Sequence, residues 1–317
     1  MIESSVYQMN LKRFVQLFLF IACSLAVQAG ENELAAAFEA RGMRIRRDAS
    51  GSVTNISFNS VVALSQEDYR LFGKFSKLRK LWMSPGGVRL SDETLGLIGT
   101  LPDVEYFFGG SAQFTDDGIK DFAGWTGLRH FGLDHWFGPP DSKGYVGAGL
   151  AHLAALPKLE SVRLGGCRVD NAAAIALARI KTLQKVDLFH TARITDDGVK
   201  ALQALPNLKS IFLGPQYTPR ITNRSLEYLS QIPSLEEIYI TETWFTYEDG
   251  LEYLKKLPNL KSLKLRYVIA EPTDIARLKA DLPRVKIEWS LPEEANAAKL
   301  RRTFKPYWES SVKNLKR

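Results

Sequence analysis

The sequence predicts an α/β solenoid, in which short strands form a curved parallel sheet on the concave face and short helices cover the convex face. Three observations predict this fold. From Val53 onward, the spacing apolar-x-x-apolar-x-apolar returns about every 25 residues. A stripe of apolar residues spaced by three precedes the copies, and prolines recur just before the strand entries. One such coil cannot bury its apolar side alone, so a fixed period of this kind is typical of stacked repeats.

Each copy of the apolar motif is predicted to form one short strand. In the copy that begins at Leu183, Val186 and Leu188 share one face by period two, whereas Lys185 and Asp187 lie on the other. The first pair is therefore expected in the core and the second on the concave face. The copies are Val53-Ile56-Phe58, Leu78-Leu81-Met83, Val104-Phe107-Gly109, Leu128-Phe131-Leu133, Leu159-Val162-Leu164, Leu183-Val186-Leu188, Leu208-Ile211-Leu213, Leu235-Ile238-Ile240 and Leu260-Leu263-Leu265, with a degenerate copy at Val285-Ile287-Trp289.

The clearest coil, residues 183–208, also indicates where a helix begins and ends. Thr195 is placed to act as the N-cap, because its hydroxyl can accept from a free backbone N–H. Val199, Leu202 and Leu205 then form one stripe at a spacing of three, which predicts a tight helix. Pro206 ends the helix, because the residue before a proline avoids the helical region.

Two helix starts share a T-D-x-G pattern, at Thr115-Asp116-Asp117-Gly118 and Thr195-Asp196-Asp197-Gly198. Together with the strand motif, this pattern resembles the bacterial leucine-rich-repeat family with T-D-x-G helix starts, and it is similar to the ribonuclease-inhibitor-like and cysteine-containing repeat classes. The resemblance covers about residues 53 to 290 and implies a leucine-rich-repeat solenoid. Members of this family are mostly binding scaffolds whose partners differ, so the resemblance implies a binding protein without naming its ligand.

The first 29 residues are predicted to be a secretory signal peptide. Lys12 and Arg13 precede a short apolar run over residues 14–27, and the small residues that follow place cleavage after Ala29. Two alternatives remain open. In the first, the apolar run is an uncleaved membrane anchor, although it is shorter than a usual transmembrane span. In the second, Cys23 follows a lipobox-like sequence and is lipidated.

The rest of the chain divides into three predicted parts. Residues 30–52 are expected to form an N-terminal cap, with a helix over 33–41 and Met43-Arg44-Ile45 pairing antiparallel to the first motif strand. Residues 53–290 form the solenoid of about ten coils. Residues 291–317 form a basic C-terminal tail with seven basic and three acidic residues. The tail is expected to be part helix packed on the last coil and part loose.

Cys167 occupies the ninth position of its repeat, counted from Leu159. In leucine-rich repeats this position holds Asn, Cys or Thr turned inward beneath the turn, and Thr191 and Thr243 occupy the same place in their own coils. We therefore expect a buried, structural cysteine. The alternative is a reactive thiol, because Cys167 has no cysteine partner once the signal peptide is removed.

The residues at the fifth motif position are the predicted contact surface, because outward side chains of the strands line the concave face. They are Trp82, Phe108, Gly132, Arg163, Asp187, Phe212, Tyr239 and Lys264. The third motif position, on the same face, holds Lys80, Tyr106, His130, Ser161, Lys185, Ser210, Glu237 and Ser262. Aromatic side chains beside charges are enriched at protein interfaces, where rings bury a large area at small entropic cost. The alternative is that neighbouring rings simply pack on one another along the sheet.

An insertion in residues 135–145 lengthens the coil between Leu128 and Leu159. An insertion in one repeat must leave the solenoid as a loop, so it is expected at the concave rim, as a contact site or as a self-packed flap. The aromatic residues expected there are Trp136, Phe137 and Tyr145, with Tyr217 and Trp244 projecting from equivalent turns further along.

The sequence offers little for catalysis. His130, Asp134 and His135 lie close together, and His190 has the same repeat position as His135. Two coils of ~5 Å separate those two imidazoles, which is too far for a shared metal. No phosphate-cradling glycine loop, nucleophile elbow or paired-cysteine metal motif occurs. We predict no enzyme activity, no cofactor and no metal.

The predicted function is an extracytoplasmic module that binds a protein or a glycan on its concave face. The alternative is an envelope structural or lipid-anchored protein, held at an anionic membrane surface by the basic tail or by Cys23. The sequence pI of 9.2 suits nucleic acid as well. The excess charge is concentrated in the tail, however, and the chain is predicted to be exported, so no nucleic-acid partner is expected.

Overall fold

The computed structural model describes residues 30–58, 64–83, 90–138 and 146–315, with side chains through residue 306. The predicted signal peptide with Cys23, the insertion residue Tyr145 and the last two residues lie outside the described residues. Within these ranges, the chain forms one sheet whose strands are connected by helices and turns.

Eleven strands form this sheet and follow one another in chain order. They are β1 (Met43–Arg47), β2 (Val53–Phe58), β3 (Lys80–Met83), β4 (Tyr106–Gly110), β5 (His130–Asp134), β6 (Ser161–Gly165), β7 (Lys185–Leu188), β8 (Ser210–Leu213), β9 (Glu237–Thr241), β10 (Ser262–Arg266) and β11 (Lys286–Ser290). β1 is antiparallel to β2, and all later neighbours are parallel. Parallel strands in chain order are the topology of a solenoid, so the predicted fold is confirmed.

The register places equivalent motif positions side by side. Val186 of β7 pairs with Ile211 of β8, and Asp187 pairs with Phe212. Val186 and Leu188 are fully buried, which confirms the predicted core face. The third and fifth motif positions therefore form two continuous rows on the opposite face of the sheet.

Short helices connect the strands on the other side of the core. The α-helices are α1 (Glu31–Ala40), α2 (Gln66–Leu71), α3 (Asp92–Ile98), α4 (Asn171–Leu177), α5 (Asp196–Ala201), α6 (Asn223–Leu229), α7 (Pro272–Asp281) and α8 (Glu294–Leu315), and 3₁₀ helices lie at Phe72–Lys74, Asp117–Gly124, Ala148–Ala155, Leu202–Ala204 and Leu251–Lys256. A 3₁₀ helix has three residues per turn, so a stripe at a spacing of three stays on one side. Leu202 is fully buried, but the predicted tight helix is found only in part, because Asp196–Ala201 is α-helical and only Leu202–Ala204 is a 3₁₀ helix. Among the described helices, none is both long and apolar enough to cross a membrane.

Hydrogen bonds between coils explain the aspartate of the T-D-x-G pattern. Asp196, which begins α5, accepts from the backbone N–H of Thr222 at 2.9 Å and from its hydroxyl at 2.7 Å. Asp92 makes the same two bonds to Thr115 in the following coil. In the first example the N-cap Thr222 is thus tied to the first residue of the helix before it, and in both examples a backbone donor close to a helix start is satisfied.

The glycine of the pattern lies at the same contact between coils. A Cβ atom at Gly198 would lie 2.6 Å from Oδ1 of Asn171, which occupies the aspartate position in the preceding coil. In a later coil, Ser225 stands in place of the glycine, and its hydroxyl donates to Asp196 at 2.5 Å. The T-D-x-G pattern therefore reflects packing between coils as well as the capping of one helix.

The N-terminal end of the solenoid is closed by α1 and β1. Leu34 and Phe38 of α1 are buried against the core, and Ile45 of β1 lies opposite Ile56 of β2. The predicted antiparallel pairing is confirmed, and the helix expected over 33–41 spans Glu31–Ala40. These elements cover the apolar end of the first coil, as a solenoid requires.

The C-terminal helix α8 packs more widely than predicted. Its Leu300 and Phe304 are fully buried in a second apolar cluster with Ile269, separate from the main core. Trp244 and Tyr217 are half-buried against this cluster, so these rings lie against the helix and do not project freely. Because these three partners follow β8, β9 and β10, α8 runs past the carboxyl ends of three strands and not only over the last coil.

Candidate functional site

The concave face, formed by the third and fifth motif positions, carries a first group of three rings near its N-terminal end. Trp82 is stacked on Phe108 with centroids 4.1 Å apart, and on Tyr106 with centroids 5.9 Å apart. The Lys80 ammonium lies 4.3 Å from the centroid of the Tyr106 ring, within cation–π distance. We call Trp82, Tyr106 and Phe108 the N-terminal stack.

Gly132 makes room for the N-terminal stack. A Cβ atom at Gly132 would lie 2.8 Å from Cδ2 of Phe108, so this ring lies over the glycine. Phe108 is only 6% exposed as a result. The exposure expected for Phe108 is therefore wrong: its ring supports Trp82 and offers little surface of its own.

A second group of rings, Phe189, Phe212 and Tyr239, forms the C-terminal stack. Phe212 lies between the other two rings, with its centroid 4.9 Å from that of Phe189 and 3.9 Å from that of Tyr239. The Arg266 guanidinium is 6.0 Å from the Tyr239 centroid. Phe212 and Tyr239 are half-buried. The rings thus pack on one another along the sheet and still leave part of their surface open.

An ion-pair cluster separates the two stacks. Arg163 donates from Nε to Asp134 at 3.2 Å and from Nη1 to Asp187 at 2.5 Å. Asp187 is 6% exposed, and burial raises the pKa of its carboxyl although the neighbouring Arg163 opposes this shift. The exposure expected for Asp187 is therefore wrong. Asp187 instead orients Arg163, whose side chain keeps 39% of its surface exposed.

Two depressions lie beside the ion-pair cluster. The larger has a volume of 440 Å³ and lies where Gly132 and Ser161 leave the sheet surface low. The smaller has a volume of 180 Å³ and lies between the C-terminal stack and Lys264. Recesses beside half-exposed rings and oriented charges are suited to side chains of a partner.

The predicted rim residues have different surroundings. Trp136 is fully buried, and its Nε1 donates to the carbonyl of Phe114 at 2.9 Å. The rim position predicted for Trp136 is therefore wrong, because the indole fills the core beside the Phe114 ring. Phe137 is 45% exposed, with the Arg168 guanidinium 5.4 Å from its centroid. Tyr145 lies outside the described residues.

The histidines of the concave rim have local partners. His190 Nε2 lies 2.8 Å from Oε1 of Glu242, and Oε2 of the same carboxylate accepts from the backbone N–H of Gln216. Glu242 is buried, and its role was not predictable from the sequence, because its partners come from two earlier coils. His135 packs against Gly166. In the described part of the chain, no group of three His, Cys, Asp or Glu side chains is arranged to hold a metal ion.

Cys167 is turned inward, as its repeat position predicts. Its Sγ lies 3.5 Å from the carbonyl oxygens of Leu133 and Gly165, and the side chain is buried. Thr191 and Thr243, at the same position, donate to backbone carbonyls within the core at 2.7 Å. This position therefore satisfies buried carbonyl oxygens beneath the turn.

We expect Cys167 to resist alkylation in the folded protein. Burial raises the pKa of its thiol to about 12, so almost none of the reactive thiolate is present near neutral pH. Iodoacetamide should modify the Cys167 peptide in guanidinium and leave it unmodified in native buffer, as read by mass spectrometry. Equal labelling rates in the two conditions would contradict a structural role.

A family model supports the repeat assignment for part of the chain. A family model described as Leucine Rich repeat matches residues 180–202, which include β7 and α5. No curated protein sequence matches the chain. Among solved structures, the chain is similar to internalin C2 from Listeria monocytogenes, with a TM-score of 0.41 and 20% identity over 75% of this chain and 80% of that chain.

The repeat match and the sheet topology together define the class of this protein. The sheet is open, its strands are almost all parallel, and helices alternate with them. The fold is an α/β leucine-rich-repeat solenoid, a class of scaffold that commonly mediates protein binding.

Proposed function

We propose that this leucine-rich-repeat protein is a non-enzymatic binding module that takes a protein partner on its concave face outside the cytoplasm. The observation that carries the proposal is the pairing of two ring stacks around an oriented arginine on one continuous surface. Trp82, Phe212 and Tyr239 are the rings that keep part of their surface exposed. Rings and arginine are the side chains that dominate binding energy at protein interfaces. The extracytoplasmic location rests on the signal-like segment before Gly30.

The arrangement of the rings favours a protein over a glycan. Phe212 has a ring on each side, and Tyr239 lies between Phe212 and the Arg266 guanidinium. Sugar recognition by an aromatic residue requires an open ring face for the C–H groups of the sugar. Ring edges, by contrast, pack well against the apolar side chains of a protein partner.

We expect the double variant Phe212→Ala/Tyr239→Ala to weaken partner binding at least about tenfold, since truncating a buried ring at an interface typically costs ~2 kcal/mol. The measurement is affinity capture from the envelope fraction by the immobilised mature chain, followed by titration of the captured protein. Tyr253→Ala is the matched control, because it removes a ring from a connecting helix, under Lys256. Thermal melts of the two variants should resemble that of the wild type.

A second candidate function is attachment to an anionic membrane surface through α8. Ala297, Leu300 and Phe304 hold the helix on the solenoid, whereas Arg301 and Arg302 are exposed. Lysine-to-alanine changes at Lys299 and Lys305 should then alter salt-dependent attachment. If these tail variants abolish capture at physiological salt and the ring variants retain it fully, the concave-face proposal is wrong and the membrane-surface function replaces it.

A further inference from the structure

We propose that the N-terminal part of the concave face, from β1 to β5, binds an acidic polypeptide segment of the partner. This inference rests on the proposed function, because it uses the same face. It adds the chemistry of the partner segment, which is acidic, and the part of the face on which that segment lies. The carrying residues are Arg44, Arg46 and Lys80, and we call them the basic patch.

The strand register places the basic patch on the concave face. Arg44 of β1 lies opposite Ser57 of β2, and Ser57 is in register with Trp82 of β3. Arg46 lies opposite Asn55, which is in register with Lys80. Residues directly opposite one another in a sheet share a face. The two arginines therefore extend the rows that contain the N-terminal stack.

The basic patch has no acidic neighbour on the concave side of strands β1 to β4. The concave-facing residues of these strands are Arg44, Arg46, Asn55, Ser57, Lys80, Trp82, Tyr106, Phe108 and Gly110, and none is a carboxylate. On β5, His130 and Gly132 share this face with Asp134, whose carboxylate accepts from Arg163. The segments 59–63 and 84–89, which follow β2 and β3 in the sequence, contain no Asp or Glu. From β6 to β11, in contrast, the rows include Asp187, Glu237 and Glu288.

Arg44 and Arg46 differ from the neighbouring arginines in having no acidic partner in the described ranges. Arg41 pairs with Asp68 at 2.7 Å, and Arg47 pairs with Glu39 at 2.8 Å. Arg44 and Arg46 are exposed and form no ion pair with any residue in the described ranges. The guanidinium groups of Arg44 and Arg46, close to the ammonium of Lys80, therefore remain available to the carboxylates of a partner. A guanidinium group can bind a carboxylate through two parallel hydrogen bonds.

The spacing of the patch fits an extended acidic chain. Arg44 and Arg46 are two residues apart on one strand, a separation of about 6.8 Å. Alternate side chains of an extended partner have the same spacing, so carboxylates at alternate positions can meet both arginines. Single-stranded nucleic acid fits less well, because base stacking needs open ring faces. Phe108 is buried and Lys80 covers a face of Tyr106, which leaves at most Trp82. A flat bilayer does not follow a concave sheet.

A defined probe tests this inference. The probe is a fluorescein-labelled peptide of about 12 alternating Glu and Ala residues, followed by anisotropy at about 50 mM salt. We expect the wild type to bind it and Arg44→Gln/Arg46→Gln to bind at least about tenfold more weakly. The control Lys158→Gln/Arg179→Gln removes the same charge from two exposed positions away from the concave face and should bind like the wild type. Carbodiimide cross-linking should join the peptide to Lys80.

Several outcomes would overturn the inference. These are no binding by the wild type, equal losses in both double variants, cross-links confined to the lysines of α8, or stronger binding of oligo(dT) or anionic vesicles than of the peptide. If Arg44 and Arg46 serve only to prevent the edge strand β1 from pairing with another sheet, the wild type should likewise not bind the peptide. The variant Phe212→Ala/Tyr239→Ala should still bind the peptide. Its capture of the natural partner therefore tests the proposed function separately.

Discussion

Replacing Leu202 by alanine is expected to lower the free energy of unfolding by about 2–5 kcal/mol. Leu202 is fully buried at the junction between α5 and the following 3₁₀ helix, so the variant loses apolar burial and leaves a cavity. In a solenoid each coil contacts only its neighbours, and the destabilisation should therefore be greatest in the adjoining coils.

The measurement for Leu202→Ala is a denaturant melt combined with hydrogen exchange resolved by coil. Lys209→Ala is the control, because Lys209 lies in the next coil and is exposed, and a change there is expected within about 0.5 kcal/mol. A loss below about 1 kcal/mol for Leu202→Ala would mean that the side chain is not part of the packed core.

Gly149→Ala is expected to destabilise the protein by about 3 kcal/mol. A Cβ atom at Gly149 would overlap the backbone carbonyl of Asp116 in the preceding coil. A backbone atom cannot rotate away as a side chain can, so the two coils would have to separate. The loss should appear in the same denaturant melts and as faster hydrogen exchange around residues 116 and 149.

Gly73→Ala is the matched control for this substitution. Gly73 also lies in a 3₁₀ helix, and a Cβ atom there would meet nothing within 4 Å. Alanine at such a position restricts the unfolded chain and is expected to be neutral or stabilising by up to about 1 kcal/mol. If both variants change stability alike, the cost of Gly149→Ala comes from the local backbone and not from contact between coils.

Both predictions depend on contacts between coils, which the sequence of a single coil does not reveal. Features that recur within every coil, in contrast, were predictable from the sequence. The strand motif predicted the buried rows that include Val186 and Leu188. Thr195 was recognised as an N-cap from its residue type, and the structure shows its hydroxyl accepting from the backbone N–H of Asp197. Cys167 was predicted to face inward from its repeat position alone. Each of these features is a local property that recurs with the period.

The candidate site was predictable only in part, because the sequence places a side chain on a face without stating what covers it. Trp82, Phe212, Tyr239 and Lys264 lie on the concave face as predicted and remain half-buried. Phe108 lies on the same face but is buried, because the neighbouring strand has a glycine beside it. Whether these residues bind a partner stays a prediction.

The sequence alone therefore determined the α/β leucine-rich-repeat architecture, the core rows, the helix start at Thr195 and the inward cysteine, because these follow from apolar periodicity and capping within one coil. Tertiary structure alone decided the burial of Trp136, the place of α8 against Tyr217 and Trp244, and the fit between the aspartate and glycine of successive T-D-x-G coils. It also joined Arg46 to the row of Lys80 and Arg44 to the row of Trp82. Each of these depends on which residues of different coils come into contact, and the stacking of coils sets that contact.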